Sequence, residues 1–464
     1  MRWKEFLNTL SYKYEGKDIF FIIGFILALS LFEICFLLNS LQRELEPIQI
    51  LMGSIVICSL GFAIIKPYIS IIVFIIVAYY ISRDIFGAST IELVSFGGEQ
   101  LSWVIISIII FCWIINSLKQ RDFRVIIGVQ GWLLFAFWII ILISSVFAVD
   151  NNLCLEHLRG ITIVFFIYFA ILNLVKTKEQ LILILWTLVI VFGLSAIEAN
   201  INYFWHGITP AVDPIYHDNN YFAHLLVMVI PVVFYLIFIS RSFFLNALLL
   251  ILFLTMIMGC ILTFSRGGFL GLIGIMVLII LKSQKKLFFL IIIGMFAVVA
   301  IFFMPPQYTE RIKSIIGYEQ DSSAMQRVYA WQAGYKMLLS APLTGVGVGN
   351  FKHLSIQYNP KMPHKITAHN SFVQVAAECG LPGIAIFLAL FITTGRGLLR
   401  LRQIAKKSRE HLWLLPIADM IEVGICGYII GCSFSSETYL WLLYILMGLV
   451  AALNQIVTQK EVTD

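Results

Sequence analysis

Charge is scarce in this chain. Only 12% of its 464 residues are Asp, Glu, Lys or Arg, whereas 60% are hydrophobic. A soluble domain carries about 25% charged residues, so the shortage excludes an ordinary water-soluble fold. Pro- or Ser-rich breaks and low-complexity stretches are missing too, and nothing in the composition divides the chain into linked soluble domains. The eight cysteines are scattered, with no Cys-x-x-Cys and no Cys/His cluster, which argues against a zinc site and against a disulfide framework. No Gly-x-x-x-x-Gly-Lys-Ser/Thr loop is present to bind a nucleotide. The net charge of +6 does not point to nucleic acid, because most basic residues sit in short stretches between apolar runs.

What is abundant is apolar runs of membrane-spanning length. A bilayer core about 30 Å thick takes about 20 apolar residues as a helix. Runs of that kind recur over 19–38, 48–65, 68–82, 101–118, 126–147, 160–175, 181–200, 221–239, 243–264, 267–281, 287–303, 380–398, 415–434 and 438–456. The expectation is an all-α polytopic bundle of about 12–14 spans, treated as one integral-membrane domain. Its first part is 1–303, a long loop fills 304–379, and the last part is 380–464. The run Ile19 to Leu38 is too long for a signal-peptide core and lacks a small-residue cleavage site, so it reads as an uncleaved span.

Orientation follows from basic residues. With the N-terminus in the cytoplasm, alternate short loops hold 21 of the 32 basic residues, among them Lys66, Lys176, Arg241, Lys282 and the cluster from Arg396 to Arg409. The opposite short loops hold only Arg43, Arg83, Arg159 and Arg266. The positive-inside rule therefore puts both termini in the cytoplasm and 304–379 outside.

The outer segments carry the polar residues that invite chemistry. Within the long loop, Val328, Trp331, Tyr335, Leu338 and Leu339 recur at helical spacing, predicting a helix over 325–339 that lies on the membrane or roofs the bundle. Gly345, Gly347 and Gly349 alternate through a turn; such alternation more often serves a plain turn than a phosphate cradle. Ser371 with Gln374 three residues on reads as a capping box, starting a short helix that ends at Gly380. His369 then lies just outside a helix N-terminus, whose positive end disfavours the imidazolium and leaves a ring able to accept a proton; the alternative is a histidine that decorates a cap.

Arg266 falls at a hairpin tip before a span of only 15 residues, 267–281, which is shorter than the bilayer core. An arginine drawn below the interface defaults to a functional reading; the alternative is a snorkelling anchor. Gly267 and Gly268 leave room for a headgroup or a neighbouring helix. Arg159 lies at the outer end of another short span, and Arg327 lies on the loop helix, where stacking on Trp331 is its structural alternative. A guanidinium fork suits a diphosphate. His217 and Asp218 precede a span as plain N-cap residues or as participants, Glu437 lies near an outer span end, and Asp419 and Glu422 answer the basic cluster at 396–409. The outer segments hold no Asp-x-Asp and no His/Asp/Glu cluster to bind a metal.

Four motifs in order resemble a known family: His217-Asp218-Asn219-Asn220-Tyr221-Phe222-Ala223, then Thr263-Phe264-Ser265-Arg266-Gly267-Gly268, then Pro342 through Phe351, then Ala368-His369-Asn370-Ser371-Phe372 through Gly383. Over about 213–400 the chain resembles the O-antigen ligase and Wzy-type polymerase superfamily of lipid-linked glycan transferases. The resemblance implies an inverting glycosyltransferase at the outer face of the bacterial inner membrane, needing neither metal nor nucleotide and no cofactor. Its donor would be a glycan on undecaprenyl diphosphate, and its acceptor a glycan, lipid or protein hydroxyl; membrane lipids are the remaining partners. The family's base maps onto His369 and its diphosphate-binding arginine onto Arg266. We extend that role to Arg159 and Arg327, with His217, Asp218, Asn370 and Glu437 in support. Ligase is the preferred reading over Wzy-type polymerase or protein O-oligosaccharyltransferase. A lipid-linked glycan flippase or other transporter is the alternative from another class, though the ionisable residues gather on one face and not along a midplane path.

Overall fold

The structure, a computed structural model, describes residues 66–80, 107–119, 121, 123–206, 219–240, 242–283, 294 and 322–463. The spans expected at 19–38 and 48–65, all of that at 287–303 except residue 294, and the residues His217 and Asp218 lie outside the described residues. Everything described is helix, turn or loop, so the all-α polytopic bundle is what the chain forms. Eight of the described helices are long and apolar enough to cross a membrane.

In chain order the helices are α1 Ile69–Tyr80, α2 Ser107–Lys119, α3 Gly128–Val146, α4 Asn151–Leu174, α5 Lys178–His206, α6 Asn219–Ile239 and α7 Phe243–Leu262. Then follow α8 Arg266–Lys282, α9 Ser322–Ser340, α10 Phe351–Tyr358, α11 Ser371–Lys407, α12 Leu414–Cys432 and α13 Trp441–Thr463. Two spans depart from their expected bounds in a way that moves residues of interest. α4 begins at Asn151, where Asp150 caps it by accepting from the Asn152 N–H at 2.9 Å, so Arg159 lies within the helix and not at the outer end of a short span. α11 continues to Lys407, carrying Arg396, Arg400 and Arg402 on helix instead of in a loop.

The centre of the bundle is α6, in which every residue from Phe222 to Leu236 is buried. A helix apolar on all sides belongs inside a bundle, not at its lipid surface. Against α6 lie α5, α7, α8 and α12. α8 and α12 run antiparallel and touch through glycine. A Cβ on Gly271 would come within 3.0 Å of the Gly427 carbonyl oxygen, and one on Gly267 within 3.1 Å of the Gly431 carbonyl oxygen. Gly267 and Gly271 are four apart, as are Gly427 and Gly431, so each helix offers a small-residue groove to the other's backbone. At the far end the pair is pinned by charge. Lys282 of α8 and Arg402 of α11 both bridge Asp419 and Glu422 of α12, with Lys282–Asp419 at 3.1 Å and Arg402–Asp419 at 2.6 Å.

The described part of the long loop is folded. α9 spans the predicted 325–339 and extends it by a few residues, ending before Pro342. Ala330, Ala333, Met337, Val346, Phe351, Leu354, Met362, Ala368 and Ala377 form a small apolar core of their own, separate from that of the bundle. This roof is sewn to the bundle at Gly380, where α11 breaks: φ 68° and ψ −168° separate a short helix, 371–379, from the span that follows. The Leu381 N–H donates to the Pro342 carbonyl at 2.8 Å and the Val346 N–H to the Ala377 carbonyl at 3.0 Å.

That backbone conformation is one essentially restricted to glycine. A Cβ on Gly380 would also stand 2.6 Å from the Pro342 carbonyl oxygen, whereas one on Gly395, further along the same helix, meets nothing within 4 Å. Gly380→Ala should therefore destabilise the protein by about 1–3 kcal/mol or more. Gly395→Ala should be neutral or stabilising by up to about 1 kcal/mol. Thermal unfolding of the two purified variants checks this; equal midpoints would contradict it.

Candidate functional site

At the end of the bundle opposite the Lys282–Arg402 network, the hairpin between α7 and α8 turns through Thr263, Phe264 and Ser265. Phe264 takes a left-handed φ of 55°. Ser265 caps α8 by accepting from the Gly268 N–H at 3.0 Å, and its hydroxyl donates to Asn220 Oδ1 at 2.6 Å, tying the hairpin to the start of α6. Arg266 is the first residue of α8. A cationic side chain thus leaves a helix end that already presents N–H groups unused by the helix, and both features favour an anion. Gly267 and Gly268 serve helix approach: a Cβ on Gly268 would stand 2.4 Å from Ala223 Cβ.

His369 stands at the head of α11, held from both sides. Before it, the Ala368 carbonyl accepts from Trp331 Nε1 of α9 at 3.0 Å. After it, Asn370 caps the helix, its Oδ1 accepting from the N–H groups of Phe372 and Val373 at 2.9 and 3.1 Å. His369 itself has a φ of 47°, a left-handed conformation that non-glycine residues keep only where the surroundings over-determine it. The expected capping box is thereby corrected. Ser371 is not the cap, because the carboxamide of Asn370 reaches the free N–H groups first, and Gln374 turns its Nε2 to Glu378 at 3.3 Å. Arg327 lies one turn before Trp331 on α9.

The freed hydroxyl of Ser371 has a different task. It donates to the Ser435 carbonyl at 3.1 Å and accepts from the Glu437 N–H at 2.9 Å. The loop from Ser433 to Thr438, between α12 and α13, therefore carries Glu437 to the helix end that bears His369. Tyr428 and Tyr444 hold the same loop, donating to the carbonyls of Glu437 and Thr438 at 2.7 and 2.8 Å. On its other side Ser435 Oγ lies 3.3 Å from Nδ1 of His224 in α6. Through this loop the head of α8, where a Cβ on Gly267 would stand 3.4 Å from Phe434 Cβ, and the head of α11, which bears His369 and Asn370, adjoin one segment that also carries Glu437. Nine buried side-chain polar atoms among the described residues have no hydrogen-bond partner, and five belong here: Asn219 Oδ1, His224 Nε2, Gln374 Oε1, Ser436 Oγ and Thr438 Oγ1. The protein alone leaves the polar valence of this end unfilled, as a site for a polar molecule or water does.

The glycine turn is structural. Gly345, Gly347 and Gly349 all have positive φ, and each is packed closely: a Cβ there would meet the Glu378 carbonyl at 2.1 Å, Ala148 Cβ at 2.5 Å and the His157 ring at 2.6 Å. Nothing of the turn stands open as a phosphate cradle. Its partner is Glu378, a buried carboxylate that accepts from the Phe351 N–H and from Gln374 at 3.3 Å. Asn350 clamps the turn to the start of α4 by a bond from the Asp150 N–H at 2.8 Å. Arg159 lies on α4 two residues after His157, whose ring lies 5.3 Å from that of Tyr439. At that spacing the two side chains leave different sides of the helix, so this contact does not itself carry Arg159 to the site.

Sequence reasoning named Trp331 only as part of a helical pattern and as a stacking partner for Arg327, and gave no role to Ser435, Glu378 and His224. A signal existed for the last, since an ionisable residue inside a span is a functional candidate by default. The others act through contacts between distant segments.

Two comparisons bear on this site. Residues 251–388 match the family model described as O-Antigen ligase, which covers the α7–α8 hairpin, the roof and the head of α11. A protein of Rickettsia conorii, provisionally named a polysaccharide ligase, is 25% identical over 205 residues, covering 40% of this chain and 47% of its own length. The chain thus spans about half the length of that relative.

Trp331→Phe keeps the ring packing and removes the bond to Ala368. The lost bond should cost about 1 kcal/mol and raise amide exchange across 366–371. Exchange unchanged from wild type would show that Trp331 does not hold the histidine segment.

Proposed function

We propose, on the premise that residues 251–388 of this chain belong to the O-antigen ligase superfamily, that it moves a glycan from undecaprenyl diphosphate to an acceptor hydroxyl. The observation that carries this reading is that the Ser433–Thr438 loop packs against one helix head at Gly267 and is bonded to another at Ser371: Arg266 stands at the first, His369 beside the second, and unfilled polar atoms lie around them.

The division of labour follows. The acceptor oxygen attacks the anomeric carbon, the bond from that carbon to the diphosphate oxygen breaks, and the configuration inverts. His369 takes the acceptor's proton as general base. The diphosphate departs with its charge stabilised by Arg266 and the N–H groups at the head of α8, with Arg327 of α9 and Arg159 of α4 as further candidate cations. Asn370 fixes the helix end, and Glu437 is a carboxylate-bearing residue whose backbone is bonded to the histidine segment at Ser371. The glycosyl diphosphate carries the energy of the reaction, so positioning, a base and charge stabilisation suffice.

The charge bias of the short loops supports an orientation in which the Lys282–Arg402 network faces the cytoplasm of a bacterial inner membrane. The site and the 304–379 segment then face outward, where a lipid-linked glycan is presented. The provisional name of the Rickettsia relative favours a ligase over a polymerase or protein glycosyltransferase. A deletion strain should accordingly lose all attached surface glycan; collapse to a single repeat would indicate a polymerase.

His369→Ala should lower transfer about 10²–10⁴-fold, the usual contribution of a general base, while the protein still inserts. Arg266→Ala should also be inactive, and Arg266→Lys should recover only part of the rate, roughly 10-fold or more below wild type, because lysine keeps the charge but not the two-pronged donor. Rates with native lipid-linked donor check both. Wild-type transfer by His369→Ala would remove the histidine from the mechanism, and full activity of Arg266→Lys would reduce the arginine to an interface anchor.

A further inference from the structure

We propose that His224 is a positioning residue that sets the separation between the arginine-bearing head of α8 and the histidine-bearing head of α11. The inference rests on the reading of Arg266 and His369 given above.

His224 is completely buried within α6, the most enclosed helix of the bundle. Its ring touches three segments at once. A Cβ on Gly267, the residue after Arg266, would stand 3.4 Å from Nε2, and one on Gly431, four residues before Ser435, would stand 2.4 Å from it. Only glycine at 431 leaves the imidazole its place. On the other side of the ring, Nδ1 meets Ser435 Oγ at 3.3 Å. The Ser435 carbonyl accepts from Ser371 Oγ, which accepts in turn from the Glu437 N–H. Ser371 is two residues beyond His369. A single ring therefore stands between the neighbour of Arg266 and the loop that fixes the segment holding His369.

An apolar side chain would fill that space without burying Nε2, which meets no well-aligned acceptor, a burial that is unfavourable. The bond to Ser435 accounts for a histidine here: it pins the loop at the level of the α8 head, so that donor phosphate and base meet the same substrate. A displacement on the order of 1 Å at a reacting geometry costs roughly 10²-fold in rate.

Substitutions that imitate one ring nitrogen at a time separate this role from packing. His224→Asn places an amide where Nδ1 stands, His224→Gln places one where Nε2 stands, and His224→Ala removes both. Each full-length variant is expressed in a deletion strain, and initial glycan attachment is measured in its membranes, which supply native donor and acceptor. Folded yield and affinity for undecaprenyl diphosphate are measured on purified protein in lipid nanodiscs. His224→Ala and His224→Gln should fall by roughly 10²-fold in transfer, with yield and affinity unchanged, and His224→Asn should keep most of the rate. Wild-type transfer in all three variants, asparagine no better than glutamine, or a loss proportional to folded yield would each overturn the proposal. His369→Ala measured alongside distinguishes the two readings. If it is inactive while all His224 variants are fully active, only the role of His224 falls; if it is active, the base assignment falls first.

Discussion

The contact on which the site depends is the glycine-to-backbone packing of α8 against α12. Hydrophobic burial does little to hold two helices together in lipid, so close approach and backbone contact must do it. Gly267 and Gly271 against Gly427 and Gly431 allow that approach, and the charge network of Lys282, Arg402, Asp419 and Glu422 fixes the same pair at the other end. Because the helices are antiparallel, the head of α8 must lie beside the tail of α12. Arg266 and the Ser433–Thr438 loop are brought together by that geometry alone, and the loop then reaches Ser371 and the histidine segment.

Helix heads recur throughout the site. α6, α8 and α11 all start at this end, at Asn219, Arg266 and Ser371. Each start leaves N–H groups that the helix itself cannot use, and Ser265 and Asn370 take up only some of them. A positively polarised end with a guanidinium in its first turn is poorly matched to a cation and well matched to a polyanion. Left-handed backbone occurs at this end in two non-glycine residues, Phe264 of the α7–α8 turn and His369, which is held between Trp331 and Asn370 and is the residue proposed for the proton transfer.

Much of this was legible in the sequence because lipid is a strict solvent. A span must satisfy its backbone internally, so long apolar runs translate directly into helices such as α6 and α7. The start of α4 was misread because its first turns carry Asn151, Asn152, Glu156 and Arg159, polar residues that belong beyond the hydrocarbon, although Asp150 offered a capping signal. Asn370 and Ser371 are both competent caps, and sequence cannot tell which oxygen faces the helix end and which faces a distant loop. The glycine alternation of 345–349 was readable as a turn. Its close fit against Glu378, Ala148 and His157, like the bond from Trp331 to Ala368, depends on segments far apart in the chain.

The central claim is that an acceptor hydroxyl displaces undecaprenyl diphosphate directly, with both reactants held between the two helix heads. It is tested most directly by the stereochemistry of one transfer. The purified full chain, given native acceptor and a lipid-diphosphate glycan of known anomeric configuration, should form the opposite anomer and release one undecaprenyl diphosphate for each glycosidic bond, as read by NMR and mass spectrometry of the products. Retention of configuration would require a covalent glycosyl intermediate and would contradict the direct displacement.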